Sequence, residues 1–489
     1  MTSTQTSQDR RTPHCTIVPP YMLEALAASD EPALAEPARE ALEHDEHLRA
    51  SRRTPTARPT GRRAPRRKDV SGEAPGAQGG GPHRTISDAK GTQTTPGTEV
   101  RAEGADPTDD EAVNEAYDGL GATWELWSAA YSRDSLDGKG MPLLATVHYG
   151  RNYDNAFWDG SQMVFGDGDG VVFERFTKSL DVIGHELAHG VTEHTAGLLY
   201  QGQSGALNES ISDVFGVLVK QHQLGQSAEQ ADWLVGADLL TPSVKGRALR
   251  DMHHPGTAYD DPRLGKDPQP GHMDDFVDTD DDNGGVHINS GIPNRAFVLA
   301  ALAIGGHAWE AAGSIWYAVV SGDGIRADCD FATFAGLTVA AARSAHGDGS
   351  AEQAAVRSAW EQVGVLTEGT KAPEAADGAA RSAPVPPAGG GGIPGADARV
   401  VLRRTGGFAG QVRERRMALG ELPERDAKDW RHLLEAPTLQ RIAASTERTH
   451  PDAYIYSIVC DEAGCDVTVQ EPHLPEAIHS LFERTLADE

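Results

Sequence analysis

The chain has 489 residues, a formal net charge of −29 and only four cysteines. Its length allows two or three domains. The acidic excess argues against a nucleic-acid-binding protein, and four cysteines are too few for a disulfide framework in a chain of this size.

The N-terminal fifth of the chain joins a short apolar segment to a long polar one. Residues 1–30 contain "CTIVPPYMLEALA", whereas residues 31–97 are rich in Ala, Pro, Arg, Gly and Thr. Residues 49–68 alone carry nine Arg or Lys and no acidic residue, which indicates a disordered tether or, alternatively, a polyanion-binding segment. We predict a disordered linker over residues 31–97, interrupted by one weak helix at about 33–48.

The sequence shows no membrane or export signal. No stretch reaches the roughly 18 consecutive apolar residues of a membrane helix, and residues 1–15 are polar where a secretory signal has an apolar core. We therefore expect a soluble protein with neither a membrane nor a nucleic-acid partner, which is either cytoplasmic or exported without a typical leader.

The dense region over residues 98–367 predicts two lobes. Residues 98–180 contain the strand-like stretches "LLATVHYG" and "GVVFERF" and turns rich in Gly and Asp. Residues 181–367 contain long Ala-, Leu- and Val-rich stretches, which predict helices at residues 181–194, 205–223, 294–304 and 352–363. A β-rich lobe followed by a helical lobe indicates an α+β fold with a cleft between the lobes.

The end of the chain predicts a second linker and a small α+β domain. Residues 368–396 are rich in Pro, Ala and Gly, and residues 397–489 show a hairpin, helix, hairpin, helix pattern. Cys460 and Cys465 flank a four-residue loop, where a disulfide, two separate thiols and a metal site all remain open.

The stretch "DVIGHELAHGVTEH" carries the clearest chemical signal. Because positions i and i+4 share a helix face, His185 and His189 present two imidazoles to one ion. Glu186 lies about 100° further round the helix, where it reaches a metal-bound water without being a ligand. In this H-E-x-x-H arrangement zinc lowers the pKa of its water and the glutamate accepts the proton.

Further acidic residues and a third histidine complete the predicted site. A catalytic zinc needs a third protein ligand, and Glu209 supplies it if the helix of "GALNESISDVFG" folds back against the first. Asp213, one turn further on, is placed to accept a ring N–H from a ligating histidine. Asp282 and His287 flank a Gly-Gly turn in "DDNGGVHINSGIPN", which predicts a carboxylate-oriented histidine that stabilises an oxyanion.

These stretches, with "NYDNAFWDGSQMVFGDGDG" and "ALRDMHHPGTAYDDP", resemble the thermolysin-like zinc metallopeptidases of the protealysin-type branch over about residues 100–365. The resemblance implies one catalytic zinc and Glu186 as general base. It implies that Tyr200 and His287 stabilise the oxyanion, with Asp282 orienting His287. Cleavage before bulky apolar residues is implied, at a substrate site formed by Asn155, Ala156, Phe157, Trp158, Val182, Leu249 and Arg250. Secretion is the usual destination in this family.

The calcium pattern of thermolysin is matched only in part. Asp181 and Asp232 are acidic as the resemblance implies, but Lys220, Leu234 and Ala237 replace expected carboxylate ligands. Because a calcium ion takes about six to eight oxygen ligands, we expect one calcium ion or none.

Both ends of the chain resemble regulatory segments. "CTIVPPYMLEALA" resembles the pro-segment motif of protealysin precursors, which implies a zymogen in which Cys15 either binds the zinc or is incidental. The block that begins with "RTGGFAG" resembles emfourin, the small protein inhibitor of protealysin-like enzymes. This implies an inhibitor domain fused to its target, with an accessory binding domain as the alternative.

We therefore expect a zinc endopeptidase that acts on peptides or proteins and is restrained by its own pro-segment and C-terminal domain, in cis or in trans. One alternative is a regulated binding protein built on a blocked peptidase scaffold, which the complete catalytic set disfavours. The other is a zinc hydrolase of non-peptide substrates, which the peptide-binding stretch disfavours.

Overall fold

The computed structural model describes residues 16–51, 81–367, 398–406, 413–422, 454–460, 465–470 and 476–487, with a few single positions between the last of these ranges. The chain divides into two compact units, Met1–Gly378 and Ala379–Glu489. Among the described residues, no helix has both the length and the apolar character needed to cross a bilayer.

The first unit begins with two helices and a five-stranded sheet. The helices are α1 (Pro20–Ala27) and α2 (Pro32–Ser51), and α3 (Glu111–Tyr131) packs beside the sheet. The strand order is β2-β1-β3-β5-β4, so β4 lies at an edge. The strands are β1 (Arg84–Asp88), β2 (Thr98–Ala102), β3 (Leu143–Val147), β4 (Ala156–Trp158) and β5 (Met163–Phe165).

The predicted start of the peptidase at residue 98 is wrong. Strand β1 lies inside the predicted linker, where it pairs antiparallel with β2 and parallel with β3, and Ile86 is fully buried. The five-residue strand "RTISD" holds one large apolar side chain, too little for a periodicity signal. The helix expected at about 33–48 extends over the whole of α2 and has a buried face, so residues 31–97 are not simply a linker.

The stretch "GVVFERF" does not form the predicted strand. One carboxylate oxygen of Asp169 accepts the backbone N–H groups of Val171, Val172 and Phe173 at 2.8–2.9 Å. Because these donors are satisfied by a side chain, the segment forms a turn with one isolated bridge from Phe173 to Leu240.

The rest of the first unit is mainly helical. The four predicted helices correspond to α4, α5, α7 and α10, each within a few residues of the expected ends. A side chain on Gly216 would lie 2.4 Å from the backbone oxygen of Asp181, so glycine permits the close approach of α5 to α4. The helices are α4 (Leu180–Glu193), α5 (Gly202–Leu224), α6 (Asp282–Asn289), α7 (Gly291–Ile304), α8 (Ala311–Val320), α9 (Phe331–His346) and α10 (Ala351–Gln362), with two-residue strands β6 (Leu234–Val235), β7 (Arg250–Asp251), β8 (Asp260–Asp261) and β9 (Gly265–Lys266) between α5 and α6.

The second unit is a separate antiparallel sheet with its own core. Its order is β11-β10-β12-β13, and helix α11 (Glu476–Ala487) follows. Cys460 lies directly opposite Cys465 in register, while most of the first of the two helices predicted within residues 397–489 lies outside the described residues. The strands are β10 (Arg399–Gly406), β11 (Arg413–Ala418), β12 (Tyr454–Cys460) and β13 (Cys465–Gln470).

Candidate active site

Three buried side chains from α4 and α5 converge on one point. The Nε2 atoms of His185 and His189 are 3.1 Å apart, and each lies 3.6 Å from an oxygen of Glu209. All three candidate ligand atoms lie within 4.8 Å of one another, and the three side chains are at most 7% exposed.

Hydrogen bonds at the Nδ1 atoms fix the orientation of the two imidazole rings. His185 Nδ1 lies 2.8 Å from Asp213 Oδ1, and His189 Nδ1 lies 2.9 Å from Asn208 Oδ1. The Asn208 amide nitrogen donates to the Leu198 carbonyl, so its oxygen faces the ring. Both Nδ1 atoms therefore donate, which leaves both Nε2 lone pairs aimed at the same point.

This donor set fits a divalent metal. Two lone pairs at 3.1 Å beside a carboxylate repel one another unless a positive charge lies between them. Two imidazole nitrogens and one carboxylate oxygen, with room for a fourth ligand, are typical of catalytic zinc.

Glu186 lies in the same buried region but is not one of the converging donors. Its Oε2 accepts the backbone N–H of Trp158 at 3.0 Å, whereas its Oε1 is buried without a hydrogen-bond partner in the described part of the chain. Burial, together with the charge of Glu209, raises the pKa of Glu186 well above its usual value. One carboxylate oxygen is thus held and the other is available.

Tyr200 and His287 meet beside Glu209. The Tyr200 hydroxyl donates to Glu209 and lies 3.2 Å from His287 Nε2, while His287 Nδ1 lies 2.6 Å from Asp282. Burial lowers the pKa of His287, but the carboxylates of Asp282 and Glu209 outweigh it and the net pKa is raised. The turn that places Asp282 has positive φ at Asp282, Asn283 and the two glycines that follow, which explains the Gly-Gly pair.

The N-terminal segment lies in the cleft against the predicted substrate residues. The Ile17 N–H donates to the Ala156 carbonyl at 3.2 Å, and Arg250 Nη1 donates to the Ile17 carbonyl at 3.2 Å. The Val18 N–H donates to Asn155 Oδ1 at 3.0 Å. Residues 16–18 are thus held like an extra strand on the edge strand β4.

The remaining predicted substrate residues lie in β4, in α4 and next to Arg250. Phe157 and Trp158 are buried in β4, and Val182 is buried in the first turn of α4. Leu249 is buried next to Arg250, whose guanidinium forms a two-point ion pair with Asp213. Asp213 therefore connects the substrate side of the cleft to His185.

The candidate calcium residues are bridged by a lysine. Lys220 Nζ lies 3.0 Å from Asp232 Oδ2 and 3.8 Å from Asp181 Oδ2. Asp181 also accepts the Gly236 N–H at 2.9 Å and is fully buried. The Lys220 ammonium already lies between these two carboxylates, where a shared calcium ion would have to bind, so they do not fit a calcium ion.

Sequence reasoning missed several residues of this region. Asn208 orients His189, and Asn294 donates to Asp213 Oδ2 at 2.8 Å. Asn208 precedes the predicted ligand Glu209, and Asn294 ends the quoted stretch "DDNGGVHINSGIPN", but a lone amide carries no signal without the fold. The remaining candidate, Cys15, lies outside the described residues.

Comparison with known proteins agrees with this geometry. Residues 76–193 match the thermolysin metallopeptidase catalytic domain, residues 196–365 match its alpha-helical domain, and residues 402–486 match emfourin. The first match starts before residue 98, as the position of β1 requires.

Individual relatives cover most of the chain. It is 50% identical over 353 residues to an extracellular metalloprotease of Pectobacterium carotovorum subsp. carotovorum, a match that spans 72% of this chain and 97% of that protein. It is 56% identical over 285 residues to protease PrtS of Photorhabdus sp. strain Az29, spanning 58% of this chain and 76% of that one.

A solved structure is similar as well. The precursor of protealysin, a metalloproteinase from Serratia proteamaculans, is 48% identical with a TM-score of 0.63, covering 72% of this chain and all of that one. With two consecutive domain matches and a relative matched over nearly its whole length, this chain belongs to the thermolysin family of metallopeptidases.

Proposed function

We propose that this metallopeptidase is a zinc-dependent neutral endopeptidase made as a zymogen, and that it cleaves before bulky apolar residues. The observation that carries the proposal is the Ile17 backbone, hydrogen-bonded to Ala156 and Arg250 in the cleft that holds the metal-binding side chains. An extended peptide fits this cleft as an added strand. In the precursor that peptide is the chain's own N-terminal segment.

The catalytic roles follow from the hydrogen bonds of each group. A zinc ion held by His185, His189 and Glu209 would supply Lewis-acid chemistry at the scissile carbonyl. Glu186 Oε1, the oxygen without a partner, would accept a proton from the attacking water and pass it to the leaving amine.

A second pair of side chains would stabilise the oxyanion. The Tyr200 hydroxyl and His287 Nε2, 3.2 Å apart, would both donate to it. Asp282 holds His287 Nδ1 and would stabilise its imidazolium form. Asp213 would keep both His185 and Arg250 in place.

The substrate would take over the contacts that the N-terminal segment now makes. Asn155 and the Ala156 carbonyl would hold the peptide backbone, and Arg250 would bind a substrate carbonyl. Val182 and Leu249 would line the pocket for the side chain after the scissile bond, with Phe157 and Trp158 forming the neighbouring wall.

Cys15 would add a metal contact in the zymogen. It precedes Thr16, which pairs with Phe157, and the next residue of β4 is Trp158, whose N–H binds Glu186. A thiolate is a strong zinc ligand.

The emfourin-like domain would act as a second restraint. A linker of some 30 residues gives a high effective concentration of the domain at its own peptidase, so even modest affinity would hold the enzyme largely inhibited, in cis or in trans. We further propose that the enzyme works outside the cell, because the Pectobacterium relative is named as extracellular.

The test is a purification time course with four proteins: wild type, Glu186→Ala, Cys15→Ser and a truncation that ends at residue 367. Intact mass would follow the fragments, and a quenched peptide with a bulky apolar residue after the scissile bond would follow activity. We expect wild type to process itself, Glu186→Ala to stay whole, Cys15→Ser to process faster, and the truncation to be the more active. A truncated enzyme that holds zinc, has lost residues 1–51 and cleaves no peptide would contradict the proposal and favour the binding-protein alternative.

A further inference from the structure

Helix α2 carries one charged residue on its buried face. Leu34, Ala38, Ala41 and Asp45 follow one another at helical spacing, and all four are at most 3% exposed. The first three pack against the apolar core. A carboxylate that continues such an apolar stripe is costly to bury unless it has partners, so the contacts of Asp45 point to a specific role.

The Asp45 carboxylate reaches the wall of the substrate cleft. The Tyr153 hydroxyl donates to its Oδ1 at 3.0 Å, and the Asn155 amide donates to its Oδ2 at 3.3 Å. The Thr16 hydroxyl lies 3.4 Å from the same Oδ2. One buried side chain thus connects α2, the N-terminal segment and the residue that we assign to substrate binding.

Asn155 couples these contacts to one another. Its oxygen accepts the Val18 N–H at 3.0 Å, while its amide nitrogen donates both to Asp45 and to the Val18 carbonyl. With the amide held by Asp45, its oxygen stays turned toward Val18. Docking of α2 and occupation of the cleft by residues 16–18 therefore support each other.

We propose that Asp45 is a positioning residue of the zymogen, a latch that locks residues 16–18 in the substrate cleft. The proposal rests on the proposed function, in which those residues block the cleft and leave when the N-terminal segment, with α1 and α2, is removed. Without the carboxylate, the Tyr153 hydroxyl and the Asn155 amide each lose one buried acceptor, which destabilises the docked N-terminal segment.

The test compares three full-length variants with wild type. Asp45→Ala removes the acceptor, Asp45→Asn keeps the shape but places an amide among donors, and Glu40→Gln is the control because Glu40 is exposed on the same helix. We expect conversion of the precursor, followed by intact mass, to be at least about tenfold faster in Asp45→Ala, faster in Asp45→Asn and unchanged in Glu40→Gln. The mature enzymes should have equal kcat/KM, because residue 45 is no longer present.

Hydrogen exchange in a Glu186→Ala background distinguishes a local loss of the Asp45 contacts from a general loss of folded structure. We expect the added Asp45→Ala change to reduce protection of the Ile17 and Val18 amides at least about tenfold, with α4 and α5 as protected as before. Unchanged protection at residues 17 and 18, or conversion at the wild-type rate, would overturn the latch. An inactive mature wild-type enzyme would instead overturn the proposed function, so the two failures are distinguishable.

Discussion

Two clusters of ionisable side chains involve the packed helices α4 and α5, and they differ in the origin of their positive charge. In the histidine cluster (His185, His189 and Glu209), every side chain presents a lone pair to one point. In the lysine cluster (Asp181, Lys220 and Asp232), an ammonium group lies between the carboxylates. A carboxylate near an active site therefore indicates a metal where lone pairs converge on it, and not where a lysine already lies between it and a second carboxylate.

The largest expected effect is the loss of activity on metal removal. Chelation of the mature enzyme should abolish peptidase activity, since the three converging donors of the histidine cluster would hold the ion that supplies the Lewis acid. Zinc at a stoichiometric concentration should restore it, and calcium should not. Recovery with calcium alone would contradict the assignment of a zinc ion to the histidine cluster and of no calcium ion to the lysine cluster.

The second effect concerns the hydrogen bond behind His185. Asp213→Asn should weaken zinc affinity by about 10- to 100-fold, measured by competition with a fluorescent chelator, and should raise KM because Asp213 also holds Arg250. Asp232→Asn is the matched control in the lysine cluster and should leave zinc affinity unchanged. Equal losses in both variants would show that the effect is not specific to the histidine cluster.

The third effect is on stability. Lys220→Met should lower the free energy of unfolding by about 1–3 kcal/mol, because Asp181 stays buried without its cation. Urea unfolding would measure this, and adding Asp181→Asn should recover part of the loss. Lys178→Met, which removes a half-exposed lysine near Glu174, is the control. Stabilisation of the wild-type protein by calcium would contradict the idea that Lys220 replaces an ion.

The smallest expected effect is a pH-dependent contribution of His148 to stability. His148 lies between Asp110 and Asp167 at 2.9 and 2.8 Å, and its hydrogen bond to Asp167, together with that to Asp110, raises its pKa to about 9 despite burial. The folded state thus binds this proton more tightly than the unfolded chain. The stabilisation is complete below about pH 6.5 and is lost as the pH rises through 9.

We expect protonated His148 to contribute less than about 1 kcal/mol to the free energy of unfolding, since its side chain is partly exposed. Denaturation curves of His148→Gln and wild type should converge between pH 6.5 and 9. A constant difference over that range would exclude the charge as its cause.

The side chains that converge in the candidate site could be predicted from sequence because their spacing is local. His185 and His189 lie four residues apart on one helix, and Glu209 and Asp213 share a face of the next. The family resemblance then supplied Tyr200 and Arg250, which have no spacing signal of their own. The fold class and the helical lobe follow from periodicity in the same way.

The features that could not be predicted depend on long-range contacts. Strand β1 is held by its neighbours β2 and β3 rather than by its own composition. Asp45 is an ordinary acidic residue of a polar helix until α2 docks beside Tyr153. From sequence, Lys220 marks only a position where a calcium ligand is missing, because the distance from a lysine to two carboxylates cannot be derived from sequence.

Because the ammonium group of Lys220 is part of the chain, it affects how long the enzyme stays active. A protease that clamps its active-site helix with an exchangeable ion loses that clamp on dilution into an ion-poor medium and is then exposed to digestion by its own copies. Lys220 cannot diffuse away from Asp181, whatever the surroundings contain. We therefore expect the half-life of the mature enzyme in a calcium-poor medium to equal that in a calcium-rich one.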